Sequence, residues 1–243
     1  MTLRGHTYKS LNRAMGRALH RYDMIRDGDR IVVGVSGGKD SLTLAWMLKE
    51  RQARVPIRYE LFPVFIDPGF RGSFGRPLQK YCDSIGLSLR VEYTDFGIVG
   101  HGPENRENPC FLCSRLRRKR LFEVAAELNC RKLALGHNRD DIIETLFLNM
   151  CYAGEISTMQ PSQSFFRGRY TVIRPLAFAD EGVIRRFARE QEFPEFVNPC
   201  PSAGNSKRQE IKTLLNQLYS TNRKIKGNIF RSMSHVNADY LLK

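Results

Sequence analysis

The sequence predicts an α/β fold, an open doubly wound parallel sheet with helices on both faces. Short β-branched strands alternate along the chain with helices of ten or more residues, which is the pattern of a parallel sheet covered on both sides. The composition, 42% hydrophobic and 26% charged over 243 residues, is that of a globular protein. No apolar run approaches the roughly 20 residues that cross a bilayer, and the amino terminus lacks the apolar core of a signal peptide. We therefore expect a cytoplasmic protein with no membrane partner.

Each element follows from a local pattern. Apolar side chains at steps of three and four over residues 8–22 predict an amphipathic helix ahead of the main fold. The strand–helix alternation then predicts strands at 30–35, 59–66, 87–91, 132–136 and 170–174, helices near 42–48, 77–85, 112–128, 140–150, 181–191 and 207–219, and loops at 94–109 and 160–169. This order divides the chain into an N-terminal helical extension (1–28), a central domain (29–205) and a basic C-terminal helix and tail (206–243).

Residues 34–41, Gly-Val-Ser-Gly-Gly-Lys-Asp-Ser, stand where a predicted strand ends and a helix begins. Backbone N–H groups and the helix dipole favour an anion at such a position. Gly37 and Gly38 let the backbone approach phosphate oxygens closely, and Lys39 supplies a cation. The predicted polyphosphate ligands in this loop are Ser36, Gly37, Gly38, Lys39, Asp40 and Ser41.

This loop differs from the P-loop of the GTPases, which needs Gly where Val33 stands and Ser or Thr where Asp40 stands. Glycines at a strand-to-helix turn also occur for packing alone, but the complete Ser-Gly-Gly-Lys-Asp-Ser pattern favours phosphate binding. It resembles the pyrophosphate loop of the N-type ATP pyrophosphatases. That superfamily cleaves ATP between the α and β phosphates and transfers AMP to a substrate oxygen.

Two further segments are predicted at the same carboxyl edge of the sheet. Gly136 to Asp141, Gly-His-Asn-Arg-Asp-Asp, follows a strand and opens a helix. Asp140 and Asp141 are also typical helix caps, and His137 is as consistent with packing as with ligand contact. Phe65 and Asp67 end another strand, where the resemblance implies backbone contacts to adenine.

Six cysteines in a chain without a secretion signal favour reduced thiols. Cys110 and Cys113 have the C-x-x-C spacing, which by itself suits zinc, redox chemistry or an iron–sulfur cluster, and Cys200 lies in a Pro-rich loop. Three cysteines are an incomplete zinc site and suit a [4Fe-4S] cluster with one open iron. The remaining cysteines, Cys82, Cys130 and Cys151, have the pattern of small buried hydrophobes.

Five ordered motifs over about residues 9–219 resemble those of the tRNA 2-thiocytidine synthetases. They are Cys110-x-x-Cys113, Gly136-His-x-Arg-Asp-Asp, Leu148-Asn-Met-x-Tyr-x-Gly154, Val172-Ile-Arg-Pro-Leu176 and Arg208-Gln209 after a late cysteine. The chain also lacks the paired terminal cysteines of the related 2-thiouridine enzymes, which favours the cytidine branch. One departure is Ala203, which replaces a second late cysteine of many family members.

The resemblance implies ATP-dependent thiolation of a cytidine at position 32 of the tRNA anticodon loop. AMP is transferred with Mg²⁺ to O2 of the base, and sulfur held on the open iron of a [4Fe-4S] cluster then attacks C2. The implied catalytic residues are Lys39, Asp40 and Asp141, with Asp40 or Asp141 as the Mg²⁺ ligand. Besides the residues of the loop, the implied ATP contacts are Phe65, Asp67, Gly136, His137 and Asp141. The implied cluster ligands are Cys110, Cys113 and Cys200.

An excess of basic residues, giving a formal net charge of +14, indicates a polyanionic partner. One run lies directly after the C-x-x-C, and from residue 206 onward eight Lys or Arg stand against two acidic residues. A charge run is usually a solvated face, but two runs beside one chemical site favour RNA phosphates. The predicted RNA contacts are Arg115, Arg117, Arg118, Lys119, Arg120, Lys207 and Arg208.

The implied partners are tRNA, ATP and a sulfur donor such as a cysteine desulfurase, and a homodimer is left open. Three alternatives remain at this stage. One is thiolation of another base such as uridine, and a second is a non-thiolating ATP-dependent RNA-modifying ligase like the tRNA lysidine synthetases. The third, a non-catalytic RNA-binding protein with a structural metal, leaves the complete phosphate loop unexplained.

Overall fold

The computed structural model describes residues 5–202, 204 and 207–241. Its centre is a six-stranded sheet in the order β3-β2-β1-β4-β6-β5, with every neighbouring pair parallel except β5 and β6. The strands are β1 (Asp29–Gly34), β2 (Tyr59–Asp67), β3 (Arg90–Tyr93), β4 (Lys132–Ala134), β5 (Ser162–Phe165) and β6 (Tyr170–Ile173). Ala203, where the sequence departs from the family pattern, lies outside the described residues.

Helices follow most of the strands. They are α1 (His6–Arg21), α2 (Lys39–Gln52), α3 (Gly75–Ser84), α4 (Phe96–Gly100), α5 (Pro109–Glu127), α6 (Arg139–Leu148), α7 (Glu181–Glu190), α8 (Lys207–Thr221) and α9 (Ile225–Ser232). A π-helical turn, Asn149–Ala153, extends α6, and a 3₁₀ turn, Ala238–Tyr240, follows α9. In the part of the chain that the structure describes, every helix is too short or too polar to cross a membrane.

The sheet is buried on both faces because successive side chains of its strands point in opposite directions. Ile31 and Val33 of β1 belong to a core shared with α1, α2 and α7, whereas Val32 belongs to a second core shared with α5. A parallel sheet covered by helices on both sides needs apolar residues in both registers of each central strand. The predicted doubly wound α/β fold is confirmed.

The described chain forms two compact units. The first comprises the described residues of 1–138 and 160–203 and contains the sheet, and the second comprises those of 139–159 and 204–243. The second unit is helical, and its core contains Ile143 from α6 with Ile211 and Leu215 from α8. The three-part division drawn from the sequence stays a prediction.

Two segments predicted as loops contain regular structure. Residues 162–165 form the edge strand β5, which pairs antiparallel with β6 through a hairpin. The loop prediction is wrong here because the Ser-Gln-Ser sequence shows no apolar alternation. A half-exposed edge strand needs few apolar residues and so gives little signal in the sequence. The loop predicted at 94–109 contains the short helix α4, and α5 begins at Pro109, so Cys110 lies on a helix rather than on a loop.

The sheet order places β1 between β2 and β4, so the chain crosses from one side of β1 to the other. In open α/β sheets, ligands bind in the crevice at such a switch point, outside the carboxyl ends of the strands. The phosphate loop follows β1, and the segment from Leu135 to Asn138 follows β4. Both segments therefore lie at the edge where a ligand is expected.

Candidate active site

The phosphate loop joins β1 to the first turn of α2. Gly37 adopts φ +80°, a left-handed conformation that favours glycine. A Cβ at this position would lie 2.6 Å from Cε2 of Phe74, so the packing also requires glycine. Both the backbone conformation and the packing against Phe74 therefore require glycine at position 37, and phosphate binding by this loop stays a prediction.

Hydrogen bonds between its ends hold the loop in shape. The backbone N–H of Ser36 donates to Oγ of Ser41 over 3.0 Å, and that hydroxyl donates to the carbonyl oxygen of Gly38 over 2.9 Å. The two serine hydroxyls also lie 3.1 Å apart. Ser36 and Ser41 thus hold the two ends of the loop together.

Lys39 opens α2 with its ammonium group between two carboxylates. Its Nζ lies 2.9 Å from Oδ2 of Asp40 and 3.0 Å from Oε1 of Glu181 on α7. Burial alone would lower the pKa of the Lys39 ammonium, but the two carboxylates outweigh burial and raise that pKa above its ordinary value. The cation is therefore charged at neutral pH and fixed beside the loop.

The segment after β4 packs directly against the start of α2. Nδ2 of Asn138 donates to Oδ1 of Asp40 over 3.0 Å. A Cβ at Gly136 would lie 3.0 Å from the backbone N of Ser41, so the two chain segments touch through main-chain atoms. The structure thus brings together Asp40 and Gly136 as the sequence predicts.

This close approach gives a stability prediction. Gly136→Ala forces a methyl group against main-chain atoms that cannot rotate away, and it should destabilise the protein by about 1–3 kcal/mol. Chemical denaturation measures the effect. The matched control is Gly16→Ala in α1, where a Cβ would lie 4.0 Å from its nearest neighbour, and there alanine should stabilise the helix by about 0.5–1 kcal/mol. Equal stabilities of the two variants would contradict the packing.

Two cavities adjoin the loop. The larger, of about 800 Å³, is lined by Gly37, Lys39 and Asp40 together with Arg185 and Arg189 of α7. The smaller, of about 230 Å³, is lined by Ser36, Gly38, Phe65, Asp67, Arg117 and Asn198, among others. The larger cavity is within the about 300–1,000 Å³ that is typical of small-molecule sites.

Phe65 and Asp67 line the smaller cavity but are also structural. The Phe65 ring stacks on Phe74 with their centroids 5.2 Å apart. The Asp67 carboxylate, whose residue is 2% exposed, accepts hydrogen bonds from the backbone N–H of Gly69 and the hydroxyl of Ser73. These bonds shape the turn after β2, and backbone contact with adenine at this turn stays a prediction.

His137 lies beside a buried arginine. Nε of Arg174, which directly follows β6, donates to Nδ1 of His137 over 3.3 Å, and Nη1 donates to the carbonyl oxygen of Gln160 over 2.5 Å. Burial lowers the pKa of Arg174 to about 10, so the guanidinium remains protonated at neutral pH. The ring of His137 is thus oriented by a cation.

The cysteines of the C-x-x-C lie in the first turns of α5. The side chain of Asn108 caps this helix and accepts the backbone N–H of Cys110 over 3.0 Å. Cys200 repeats the arrangement in a loop, where its N–H donates to Oδ1 of Asn198 over 3.1 Å. Both cysteines therefore occur in the same tripeptide, Asn-Pro-Cys, with the same local hydrogen bond.

The pKa of the Cys113 thiol depends on both of the other candidate cysteines. Burial raises the pKa of the Cys113 thiol, the Arg117 guanidinium opposes that rise, and Cys200 and Cys110 raise the pKa further. All three cysteines and Arg117 lie in the first unit. Both other thiols are close enough to Cys113 to affect its pKa. The loop that carries Cys200 is held by Nε2 of His101, which lies 2.7 Å from the hydroxyl of Ser202.

The candidate donor set consists of three cysteine thiols. Among residues 5–202, 204 and 207–241, no three His, Cys, Asp or Glu side chains converge closely enough for one metal ion. A zinc ion needs its sulfur ligands about 2.3 Å from one point. Thiolates are the usual ligands of a [4Fe-4S] cluster, each on a different iron, so three cysteines suit such a cluster in their chemistry and leave one iron open.

The other cysteines divide. Cys82 and Cys130 are buried, and burial raises the pKa of each thiol to about 11, as expected for inert core residues. Cys151 is exposed, so its assignment to the core was wrong. The π-helical turn that contains it leaves all five of its residues unburied, a departure from α-helical periodicity that the sequence does not signal.

Asp141 and Arg208 belong to the second unit, where they form part of an ionic network. Nη1 of Arg208 lies 3.6 Å from Oδ1 of Asp141 and 3.2 Å from Oε2 of Glu144. Asp140 forms an ion pair with Lys226, and Lys207 lies 3.0 Å from Glu210. Three predicted site residues, Asp141, Lys207 and Arg208, are therefore also engaged in ion pairs of this unit.

The basic run on α5 separates into two faces. Arg115, Arg118 and Lys119 reach solvent most freely, whereas Arg120 is held by Glu92 and Glu127 at 2.8 and 2.9 Å. Nε of Arg117 is buried with no hydrogen-bond partner among the described residues, and its side chain lines the smaller cavity. The run therefore divides into outer bases and two inner ones.

Several residues of this site were not predicted from the sequence. Glu181 and Asn138 hold the pair Lys39 and Asp40, but nothing in a single sequence signals contacts over such separations. Arg174 belongs to the motif Val172-Ile-Arg-Pro-Leu176, but the motif alone does not predict its contact with His137. The caps Asn108 and Asn198 do have a signal, because Asn-Pro-Cys occurs at both places in the sequence.

Comparison with known proteins agrees with this geometry. A family model of the PP-loop domain matches residues 7–218. The chain is 40% identical over 238 residues to the tRNA-cytidine(32) 2-sulfurtransferase of Geobacter sulfurreducens, covering 97% of this chain and 93% of the relative. It is 39% identical over 238 residues to the enzyme of the same name from Anaeromyxobacter sp., covering 96% and 78%. The solved structure of the U34-tRNA thiolase NcsA from Methanococcus maripaludis, with its [4Fe-4S] cluster, aligns with a TM-score of 0.78 at 25% identity, covering 97% of this chain and 80% of that one.

Proposed function

Because this chain belongs to the PP-loop family, and to the branch that contains the tRNA-cytidine(32) 2-sulfurtransferases, we propose that it uses ATP to convert cytidine 32 of tRNA to 2-thiocytidine. One observation carries the proposal. The smaller cavity is lined both by Ser36 of the phosphate loop and by Arg117 and Asn198, which lie four and two residues from Cys113 and Cys200. Nucleotide activation and sulfur delivery thus share one cavity wall.

The phosphate loop performs the activation. Cytidine O2 bonds to the α-phosphorus of ATP, the α–β phosphate bond breaks, and pyrophosphate leaves. The amides of Gly37 and Gly38 and the ammonium of Lys39 stabilise the charge that develops on the phosphates. The larger cavity, lined by cations and carboxylates, accommodates the leaving pyrophosphate with Mg²⁺. Either Asp40 or Asp141 is the proposed Mg²⁺ ligand, and each of these carboxylates carries an ion pair in this structure.

The cysteines perform the second half of the reaction. Cys110, Cys113 and Cys200 would hold a [4Fe-4S] cluster, which supplies sulfide as the sulfur nucleophile when bound. Sulfur bonds to C2 of the adenylated cytidine, the C2–O2 bond breaks, and AMP leaves. Arg117, whose Nε is buried and has no hydrogen-bond partner in the described part of the chain, places a cation beside the phosphate of the activated base. His137, oriented by Arg174, is proposed as a further nucleotide contact.

The remaining parts of the proposal concern partners. The sulfide must come from a donor such as a cysteine desulfurase, the site of action is the cytoplasm, and a homodimer stays an option. RNA contact is assigned to Arg115, Arg118 and Lys119 on the outer face of α5. Arg120, Lys207 and Arg208 each lie within 3.2 Å of a carboxylate, and Arg115 lies 3.3 Å from Oε1 of Glu107. RNA contact by Arg120, Lys207 and Arg208 stays a prediction.

Reconstitution tests the proposal. Anaerobically purified protein is incubated with unmodified tRNA, ATP, Mg²⁺ and sulfide, and the nucleotides and digested nucleosides are analysed by mass spectrometry. We expect 2-thiocytidine, AMP and pyrophosphate in equal amounts. Formation of 2-thiouridine would support the uridine alternative, and AMP formation without a thionucleoside would support a non-thiolating ligase.

The division of the basic run predicts a difference in salt dependence. Changing Arg115, Arg118 and Lys119 together to glutamine should weaken tRNA binding and reduce the slope of log affinity against log salt by up to about one unit per lost phosphate contact. Binding isotherms at several salt concentrations measure the slope. Arg120→Gln is the matched control, because Arg120 faces Glu92 and Glu127, and it should leave the slope unchanged. Equal slopes for wild type and the triple variant would remove this face from the RNA surface.

A further inference from the structure

A groove of about 500 Å³ lies between α5 and the β5–β6 hairpin, within the first unit. We call it the hairpin groove. Three aromatic rings line it, those of Phe122, Phe166 and Tyr170, together with the basic side chains of Arg118, Lys119 and Arg169, which we call its basic rim. Neither the ATP chemistry nor the cysteines use this groove.

Phe166 is held open to solvent at the tip of the hairpin. It is 62% exposed, which is unusual for a residue that could bury its ring against its neighbours. The rings of Phe122 and Tyr170 cross it at 87° and 85°, so each meets it edge-to-face rather than stacked. The ring therefore presents aromatic surface to a ligand.

The hairpin turn maintains this exposure against local preference. Phe166 and Arg167 adopt φ +52° and +55°, in the left-handed region that bulky residues rarely occupy. Gly168, with φ +85°, is the one residue of the turn that suits such a conformation. Asn-Gly would be the ordinary choice at a hairpin turn, so the sequence places an aromatic ring and a guanidinium there at a conformational cost.

The charges around the hairpin groove favour an anion. Arg115, Arg118, Lys119 and Arg169 line it, against one carboxylate, that of Glu123. Glu123 is itself paired, with Oε2 lying 3.1 Å from Nη1 of Arg120 and Oε1 lying 3.9 Å from Nζ of Lys119. Apolar rings beside this surplus of cations suit a ligand that has both a flat aromatic face and a negative charge.

We propose that the hairpin groove binds an unpaired nucleotide of the substrate RNA, with its base stacked on Phe166 and its phosphate held by the basic rim. Single-stranded RNA is recognised by this combination of aromatic platforms and cations. Phe122 lies nine residues along α5 from Cys113, about 14 Å at the rise of a helix. The hairpin groove and Cys113 thus share one helix. The inference rests on the proposed function, because it assumes that tRNA is the substrate.

Variants at one position test the stacking. Phe166→Ala should raise the dissociation constant for tRNA by about ten-fold while leaving the slope of log affinity against log salt unchanged, since a base and no phosphate contact is lost. Phe166→Tyr, which keeps the ring, should bind as wild type. Phe166→Leu, which keeps apolar volume without a ring, should bind as weakly as the alanine variant. Thermal melts confirm that each variant is folded.

A cycle with modified RNA identifies the partner of Phe166. Anticodon stem-loops carrying a single abasic residue, moved through the loop one position at a time, are titrated into wild type and Phe166→Ala. At one position, removal of the base should weaken binding to wild type by about ten-fold. Removal of the same base should not weaken binding to Phe166→Ala, because the stacking partner is already lost. Effects that simply add at every position would overturn the proposal.

The outcomes separate this inference from the function itself. If wild type neither binds nor thiolates tRNA, the proposed function fails. If wild type thiolates tRNA but the alanine, leucine and tyrosine variants bind it equally, only the hairpin groove assignment fails. A different pattern would indicate that the groove binds a protein sulfur donor. In that case Phe166→Ala loses activity with the protein donor, Phe166→Leu retains it, and all variants bind tRNA equally. The stacking proposal is then wrong.

Discussion

Serine in place of Cys110, Cys113 or Cys200 is expected to abolish both iron retention and tRNA thiolation. Each thiolate would bind a separate iron of a [4Fe-4S] cluster, and a serine hydroxyl is a poor ligand for it. Protein purified without oxygen should be brown and contain about four irons per chain, and each single variant should lose most of that iron. Iron analysis and the absorbance of the purified protein measure the loss before any activity is assayed.

Cys151→Ser is the matched control for these variants. Cys151 is an exposed thiol of the second unit, so its replacement should change neither iron content nor thiolation. One outcome would contradict the cluster mechanism. If anaerobic protein contains one zinc and no iron and still thiolates tRNA, a persulfide on one of the three cysteines must carry the sulfur instead.

Lys39→Ala is expected to reduce tRNA-dependent formation of AMP and pyrophosphate by at least two orders of magnitude. Removal of one group that stabilises transition-state charge typically costs about 10²–10³ in turnover. Here the loss is compounded, because the carboxylates of Asp40 and Glu181 then face the phosphates without their cation. The assay separates AMP, ADP, pyrophosphate and phosphate by chromatography.

The control for this variant lies on the same helix. Lys49→Ala removes an exposed lysine from the last turn of α2 and should leave turnover unchanged. Retained turnover in Lys39→Ala would remove the lysine from the mechanism. Release of ADP and phosphate by the wild type would contradict cleavage between the α and β phosphates.

The sheet and the phosphate loop were predictable because their signals are local. A central strand such as β1 is buried on both faces and therefore reads as an uninterrupted apolar run, and the loop is a contiguous pattern at the end of that strand. The edge strand β5 is half-exposed, its sequence is polar, and only its pairing with β6 makes it a strand. Its hairpin, with Phe166 at the tip, was consequently predicted as a loop.

The partners of the site residues could not be predicted in the same way. Glu181 and Lys39 form an ion pair although they are far apart in the sequence. No spacing rule relates two such distant positions. The basic run is a different case. Helical periodicity separates Arg117 and Arg120 from the outer bases Arg115, Arg118 and Lys119, so the division between inner and outer bases was available from the sequence.

The central claim is that this chain thiolates cytidine in tRNA, and the nucleosides of cellular tRNA test it most directly. Total tRNA is digested and analysed by mass spectrometry from cells with the gene, cells without it, and cells without it that express either the wild-type chain or Lys39→Ala. The account predicts that 2-thiocytidine disappears with the gene, returns with the wild-type chain and does not return with Lys39→Ala. Unchanged 2-thiocytidine in cells without the gene, or loss of a different thionucleoside in its place, would contradict it.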